Sequence, residues 1–167
     1  MKKTLKTFLI ICLALFMCMT ALVACDNSAT PEPKKYTEEE IRTALAENDG
    51  TLTIEGTSDN VTAFTFVVTG INANDINPNS LKSAVNILLT DYSKITYGQL
   101  KMCYAFNAMV SVDNIFRDDS SEFDEEAYIN EIISVICNGN SLQHDSWTIS
   151  ASINQATDSI TISATSK

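Results

Sequence analysis

The side chains best suited to acid–base chemistry lie around the single histidine, His144, in the sequence LQHDSW. A hydrolase would pair this imidazole with a Ser or Cys nucleophile and an orienting carboxylate. Asp145 and Ser146 are its neighbours in sequence, but such triads are assembled by the fold and not by adjacency. No G-x-S-x-G motif accompanies them. We therefore predict no catalytic residue, and a polar loop at this position between a helix and a strand.

A run of acidic residues, Arg117 to Glu126 (RDDSSEFDEE), is the strongest candidate for a metal site. An EF-hand loop needs Gly at position 6 and Glu at position 12. Counted from Asp118, these positions hold Phe123 and Ile129, so the calcium pattern fails. Acidic residues are favourable before a helix, and we expect a solvated loop that leads into one. The glycines are not clustered into a phosphate loop, and the sequence predicts neither metal nor cofactor.

The first 25 residues have the layout of an export signal. Three lysines within residues 2–6 precede an uncharged apolar run, Phe8 to Ala24. This run is slightly shorter than the ~20 residues of a membrane span. An ordinary signal peptidase requires small residues at positions −1 and −3 of the cut. Ala24 meets the first requirement, but Leu22 is too large for the second.

The segment LVAC, Leu22–Cys25, resembles the lipobox of bacterial lipoproteins: an aliphatic residue, a permissive residue, a small residue and then cysteine. The resemblance covers residues 1–25 alone. It implies that a dedicated peptidase recognises Leu22, Val23 and Ala24 and cuts before Cys25, whose thiol carries a diacylglyceryl group. Two acyl chains give a stable anchor, so the resemblance implies export and attachment to the outer side of a bacterial membrane, either a cell membrane or an outer membrane. The alternative is an uncleaved transmembrane helix.

Charge limits the partners of the mature chain. Removal of the three lysines of the signal leaves 21 acidic against eight basic residues, a net charge of −13. Nucleic acid and anionic lipid repel such a chain, so we exclude nucleic acid as a partner and expect membrane contact through the lipid on Cys25. Residues 25–35 are polar and contain two prolines, a composition that predicts a flexible tether. We expect residues 36–167 to form a single acidic domain.

Two cysteines remain in that domain, Cys103 and Cys137. Their spacing matches no zinc motif. In an exported protein they could form a disulfide, but each also suits a small buried apolar position. Both interpretations stay open, because pairing requires Cα atoms within about 7 Å.

Four helix starts carry capping signals, with cap residues at Thr37, Asn77, Thr96 and Asp124. Glu40 and Gln99 each lie three residues after a threonine cap and complete a capping box. The helix that follows Thr96 has two apolar faces, which is typical of a buried central helix.

Alternating apolar residues predict two β-hairpins, one in TLTIEGT and NVTAFTFVVTG and one in WTISASI and SITISATS. Opposite strand faces carry Thr and Ser, so each strand has one wet side. The predicted order is helix, hairpin, three helices, hairpin. This order indicates an α+β domain, in which one antiparallel sheet packs on about four helices.

The anchor signal and the lack of catalytic motifs favour a non-enzymatic binding or envelope-assembly module with an unknown protein or envelope partner. One alternative is a small-ligand-binding domain with a pocket lined by Tyr104, Phe106 and Trp147. Another is a cell-envelope hydrolase whose site residues are dispersed in sequence.

Overall fold

The computed structural model of this chain describes residues 34–117 and 124–167. Within these ranges the helices are α1 (Glu38–Leu45), α2 (Pro78–Thr90), α3 (Tyr97–Phe116) and α4 (Glu125–Asn138). The strands are β1 (Thr51–Thr57), β2 (Asn60–Thr69), β3 (Ser141–His144), β4 (Trp147–Asn154) and β5 (Ser159–Ser166). The predicted α+β class is confirmed.

Each helix begins at the cap residue that the sequence predicts. The Thr37 hydroxyl accepts a hydrogen bond from the Glu40 backbone N–H, and the Glu40 carboxylate accepts one from the Thr37 N–H at 2.8 Å. Thr96 and Gln99 form the same reciprocal pair at the start of α3. Such caps satisfy N–H groups that have no partner inside the helix and typically contribute about 1 kcal/mol each.

The remaining two caps use an amide and a carboxylate oxygen. Asn77 accepts from the Asn79 and Ser80 N–H groups, with Pro78 in the first turn of α2. Asp124 accepts from two N–H groups at the start of α4, each at 3.0 Å. Four separate local signals therefore fix where the helices start.

The five strands form one antiparallel sheet in the order β1-β2-β5-β4-β3. The N-terminal hairpin and the C-terminal strands join through β2 and β5, where Phe66 lies opposite Ile162. Two strand pairs far apart in sequence thus share one sheet, as the alternating pattern predicts.

The C-terminal part of the sheet differs from the predicted hairpin. Residues 141–144, expected to be a polar loop, form the edge strand β3, so that three strands follow one another here. Leu142 is the one apolar residue in this four-residue strand, so the sequence shows no alternation of apolar and polar residues that would predict a strand. Pairing with β4, which places His144 opposite Trp147, makes it a strand.

The helices cover one face of the sheet. The residues of β2, β4 and β5 that point toward the helices include Phe64, Phe66, Ile149 and Ile162, which are almost fully buried. Helix α3 packs against the other three helices and against β2, β4 and β5. It is therefore the central helix that its two apolar faces predict.

Gly50, just before β1, provides a stability prediction. A Cβ there would overlap the buried ring of Phe66 and lie 2.8 Å from the Val67 carbonyl oxygen. Gly50→Ala should lower the free energy of unfolding by about 1–3 kcal/mol, measured by urea denaturation. Gly98 is the matched control, because a Cβ there meets nothing within 4 Å. Gly98→Ala should stabilise helix α3 by up to about 1 kcal/mol, and equal losses in the two variants would contradict this packing.

Candidate functional site

The sheet face that points away from the helices (the outer face) carries an ordered array of hydroxyl groups. Cβ atoms alternate along each strand, so the residues between the buried positions point outward. The strand register aligns five of them in one line across the sheet. This line, the hydroxyl row, consists of Thr53, Thr65, Ser163, Ser150 and Ser141. Every residue in the hydroxyl row is Ser or Thr, and adjacent strands are about 4.8 Å apart.

Two further rows flank the hydroxyl row. One contains Thr51, Val67, Thr161 and Ser152. The other contains Glu55, Ala63, Thr165, Thr148 and Gln143. Across these three rows Glu55 is the one charged residue. Residues 25–167 carry a net charge of −13, yet this surface is nearly uncharged.

The hydroxyls of this surface are open to a partner. Thr53 and Ser141, at the two ends of the hydroxyl row, are exposed, while Thr65, Ser163 and Ser150 between them are half-buried. At one edge, Gln143 donates to the Ser141 hydroxyl at 3.2 Å. Among the described residues, the other four hydroxyls of the row make no side-chain hydrogen bond. They are therefore available as donors and acceptors.

A second feature lies inside the domain: the Asp113 cluster, formed by Asp113, Arg117, Tyr128 and His144. The Asp113 side chain is 0% exposed. One carboxylate oxygen accepts from Arg117 Nε at 2.7 Å and from the Tyr128 hydroxyl at 2.9 Å. The other oxygen lies 2.6 Å from His144 Nε2. This carboxylate joins α3, α4 and β3.

The surroundings of Asp113 keep it ionised. Burial by itself raises the pKa of a carboxyl group, but here His144, Arg117 and Tyr128 donate to the charged form and hold the Asp113 pKa below its ordinary value. Burial opposes the charge of Arg117, but the hydrogen bond and charge of Asp113 outweigh it and raise the Arg117 pKa. Burial, and then the negative charge of Asp113, raise the Tyr128 pKa. Because an ionised carboxylate only accepts, His144 Nε2 carries the hydrogen.

The structure brings His144 to Asp113 and not to the neighbours considered from sequence. Asp145 and Ser146 form the two-residue turn between β3 and β4. Asp145 has a φ of 38°, a left-handed conformation that Asp tolerates. A triad needs a nucleophile within hydrogen-bond reach of the base, and among the described residues the bonded partner of His144 is Asp113. This arrangement favours a structural role for the cluster.

Sequence reasoning missed Asp113. A signal was present, because an aspartate on the apolar stripe of α3 lies four residues before Arg117, the spacing of a helical ion pair. Its two other partners are 15 and 31 residues away in sequence.

Cys103 and Cys137 are free thiols in the structure. Cys103 is buried in α3 and Cys137 is half-buried in α4, and burial raises the pKa of each to about 11. The structure thus favours the interpretation of Cys103 and Cys137 as small buried apolar side chains over the interpretation of a disulfide between them.

The aromatic residues considered for a ligand pocket belong to the core. Phe106 and Trp147 are buried in the core cluster, and Tyr104 is partly buried and packs against that cluster. An open groove of about 560 Å³ lies elsewhere, at the β4–β5 turn. Its lining comprises Ala73, Asn74, Ile76, Cys137, Ser152, Ile153, Asn154 and Gln155. This turn is at the opposite end of β4 from the Asp113 cluster.

The lipobox residues Leu22, Val23 and Ala24, the lipid site Cys25 and most of the tether lie outside the described residues. So does residue range 118–123 of the acidic run. In the parts of the chain that the structure covers, no helix has the length and hydropathy of a membrane span. The same residues contain no group of three or more His, Cys, Asp or Glu side chains arranged to hold a metal ion.

Comparisons with known proteins assign no family to this chain. No protein-family model, no curated protein and no solved structure matches this sequence or fold.

Proposed function

We propose that this chain is a lipid-anchored binding module on the outer side of a bacterial membrane, with the outer face of its sheet as the contact surface. The lipobox resemblance at Leu22–Cys25 supports the anchor. The uncharged hydroxyl array supports the binding role. The two parts are independent and have separate tests.

The absence of charge on the outer face carries the binding proposal. Acidic residues occur throughout the mature chain, yet the three aligned rows contain Glu55 alone. The centres of binding interfaces are depleted in charged residues.

The proposed anchor at Cys25 would hold this face near the cell envelope, because Tyr36, where the domain begins, follows Cys25 by 11 residues. The domain would therefore reach polymers close to the membrane surface. Its charge would keep it from lying on anionic lipid.

Photocrosslinking in the native envelope tests the contact surface. Benzoylphenylalanine would replace Thr53 or Ser141, the exposed ends of the hydroxyl row, or Thr43 on helix α1 as an exposed control. We expect adducts from the two sheet positions and not from Thr43. Adducts from Thr43 alone, or equal yields from all three positions, would place the contact elsewhere.

The anchor has its own prediction. Cys25→Ala removes the thiol that would carry the lipid, so the variant should be released or mislocalised. Mass spectrometry should find acyl mass on the N-terminal peptide of the wild type and none in the variant. A variant that stays membrane-bound at full precursor length would instead support an uncleaved transmembrane helix.

The open groove at the β4–β5 turn makes small-ligand binding the second candidate. Its volume lies within the range of ligand sites. Asn74→Trp would fill the groove from an exposed position. This candidate predicts that small molecules from the native envelope raise the melting temperature of the wild type and not of the variant.

A further inference from the structure

We propose that the ligand of the outer face is an extended, uncharged polysaccharide that lies across the strands along the hydroxyl row. This inference rests on the proposed binding function and names the ligand class of the same surface. It is argued from the spacing of the row, its chemistry and the charge of the chain.

The spacing of the row suits a polymer with short, repeated units. Thr53, Thr65, Ser163, Ser150 and Ser141 follow one another at the strand separation of about 4.8 Å and span roughly 19 Å. This step is close to the length of one sugar ring in an extended chain. A glycan that crosses the strands would therefore place successive rings over successive hydroxyls.

The chemistry of the face matches the two kinds of surface that a sugar presents. Ser and Thr hydroxyls both donate and accept hydrogen bonds, as sugar hydroxyls do. Beside Thr65 on β2, Ala63 and Val67 point to the same side and are half-buried. They offer small apolar contacts for the C–H groups of a ring.

Other occupants fit less well. Stacking two copies through this face would bury many hydroxyls and little apolar surface, and unpaired buried hydroxyls are costly. A membrane-binding surface requires basic or large apolar residues, and none lies in the three rows. An anionic polymer would be repelled by a mature net charge of −13.

Co-sedimentation tests the inference with the full chain purified in detergent micelles. The probes are microcrystalline cellulose, chitin, insoluble β-1,3-glucan and, as an anionic control, insoluble polygalacturonate. We expect binding to at least one of the first three and not to the fourth. Because no ion pair contributes, binding should change little between low and high salt.

Hydroxyl removal should weaken this binding without altering shape or charge. The double substitution Thr65→Val and Ser163→Ala removes two adjacent hydroxyls of the row. We expect about a tenfold or larger loss of affinity from the lost hydrogen bonds. Thr43→Val, which removes an exposed hydroxyl from α1, is the matched control and should bind as the wild type. Circular dichroism would verify that each variant is folded.

Two results separate failure of this inference from failure of the proposed function. If none of the three polysaccharides is bound while Thr53 and Ser141 still crosslink to a protein in the envelope, the ligand is not a glycan and the contact surface stands. If both assays are negative, the surface proposal fails as well. Equal affinity of the double variant and the wild type for a bound glycan would also overturn the inference.

Discussion

Asp113→Ala should lower the free energy of unfolding by about 3 kcal/mol, the cost expected when one partner of a buried ion pair is removed. The substitution leaves Arg117, Tyr128 and His144 without the carboxylate that all three contact. Arg117 is 23% exposed, so its hydration in the variant compensates for part of the lost ion pair. The single tryptophan, Trp147, is buried beside this region and provides a fluorescence signal for urea unfolding.

Asp49→Asn is the matched control for this prediction. Asp49 forms an ion pair at 3.4 Å with Lys101 of α3, the helix that also contains Asp113. The Asp49 side chain, however, is 76% exposed. Exposed ion pairs contribute about 0–1 kcal/mol, so this variant should unfold close to the wild type. A loss of less than 1 kcal/mol in Asp113→Ala would contradict the view that the cluster holds α3, α4 and β3 together.

The Asp113 cluster also predicts that the free energy of unfolding depends on pH. In the folded state the pKa of Asp113 lies below the ordinary value for Asp, which is about 3.9 in an unfolded chain. The stabilisation is therefore complete above the unfolded value and is lost as pH falls through the lower folded value. Asp113→Asn cannot titrate. The difference in unfolding free energy between wild type and Asp113→Asn should shrink as the pH falls below about 5. A constant difference down to pH 2 would contradict the depressed pKa.

Trp147→Ala should have the largest effect on stability, a loss of about 3–5 kcal/mol. Its indole is 3% exposed. It stacks on Phe116 at a centroid distance of 4.6 Å and meets the edge of Tyr36 at 5.8 Å. These contacts connect the sheet, the end of α3 and the start of the folded domain. Circular dichroism would measure unfolding, since the variant has no tryptophan.

Tyr97→Ala provides the comparison for the aromatic core. The Tyr97 ring is 74% exposed, so its removal should cost less than about 1 kcal/mol. If Trp147→Ala were as mild as Tyr97→Ala, the ring contacts around Trp147 would not form part of the core.

Much of the fold follows from local sequence. A cap such as Thr37 or Thr96 acts on N–H groups within three residues, so the sequence alone places the start of its helix. The alternation in β2, β4 and β5 likewise marks which residues face the helices. These elements are predictable because the forces that set them act over a few neighbouring residues.

The Asp113 cluster and strand β3 depend on contacts between distant segments. Nothing near Ser141–His144 marks a strand, because its pairing with β4 supplies the structure. His144 reaches Asp113 across 31 residues, a contact that only the assembled sheet and helices create. The one local signal for the cluster is an aspartate on an apolar helix face, four residues before Arg117.

The hydroxyl row is predictable from the sequence only in part. The sequence predicts that each strand has a wet side rich in Ser and Thr. It does not predict that Thr65, Ser163 and Ser150 fall into one line, because alignment depends on the register of β2, β5 and β4. A shift of one residue in any pair would turn side chains to the other face.

Detergent extraction of the native envelope tests the central claim, that the outer face binds an envelope polymer independently of the lipid anchor. Detergent dissolves the membrane but leaves insoluble polymer, which can be sedimented. We predict that wild type and Thr43→Lys stay largely in the pellet, whereas Ser163→Lys, which places a charged side chain in the hydroxyl row, moves to the supernatant. Identical fractionation of Ser163→Lys and Thr43→Lys would contradict the account.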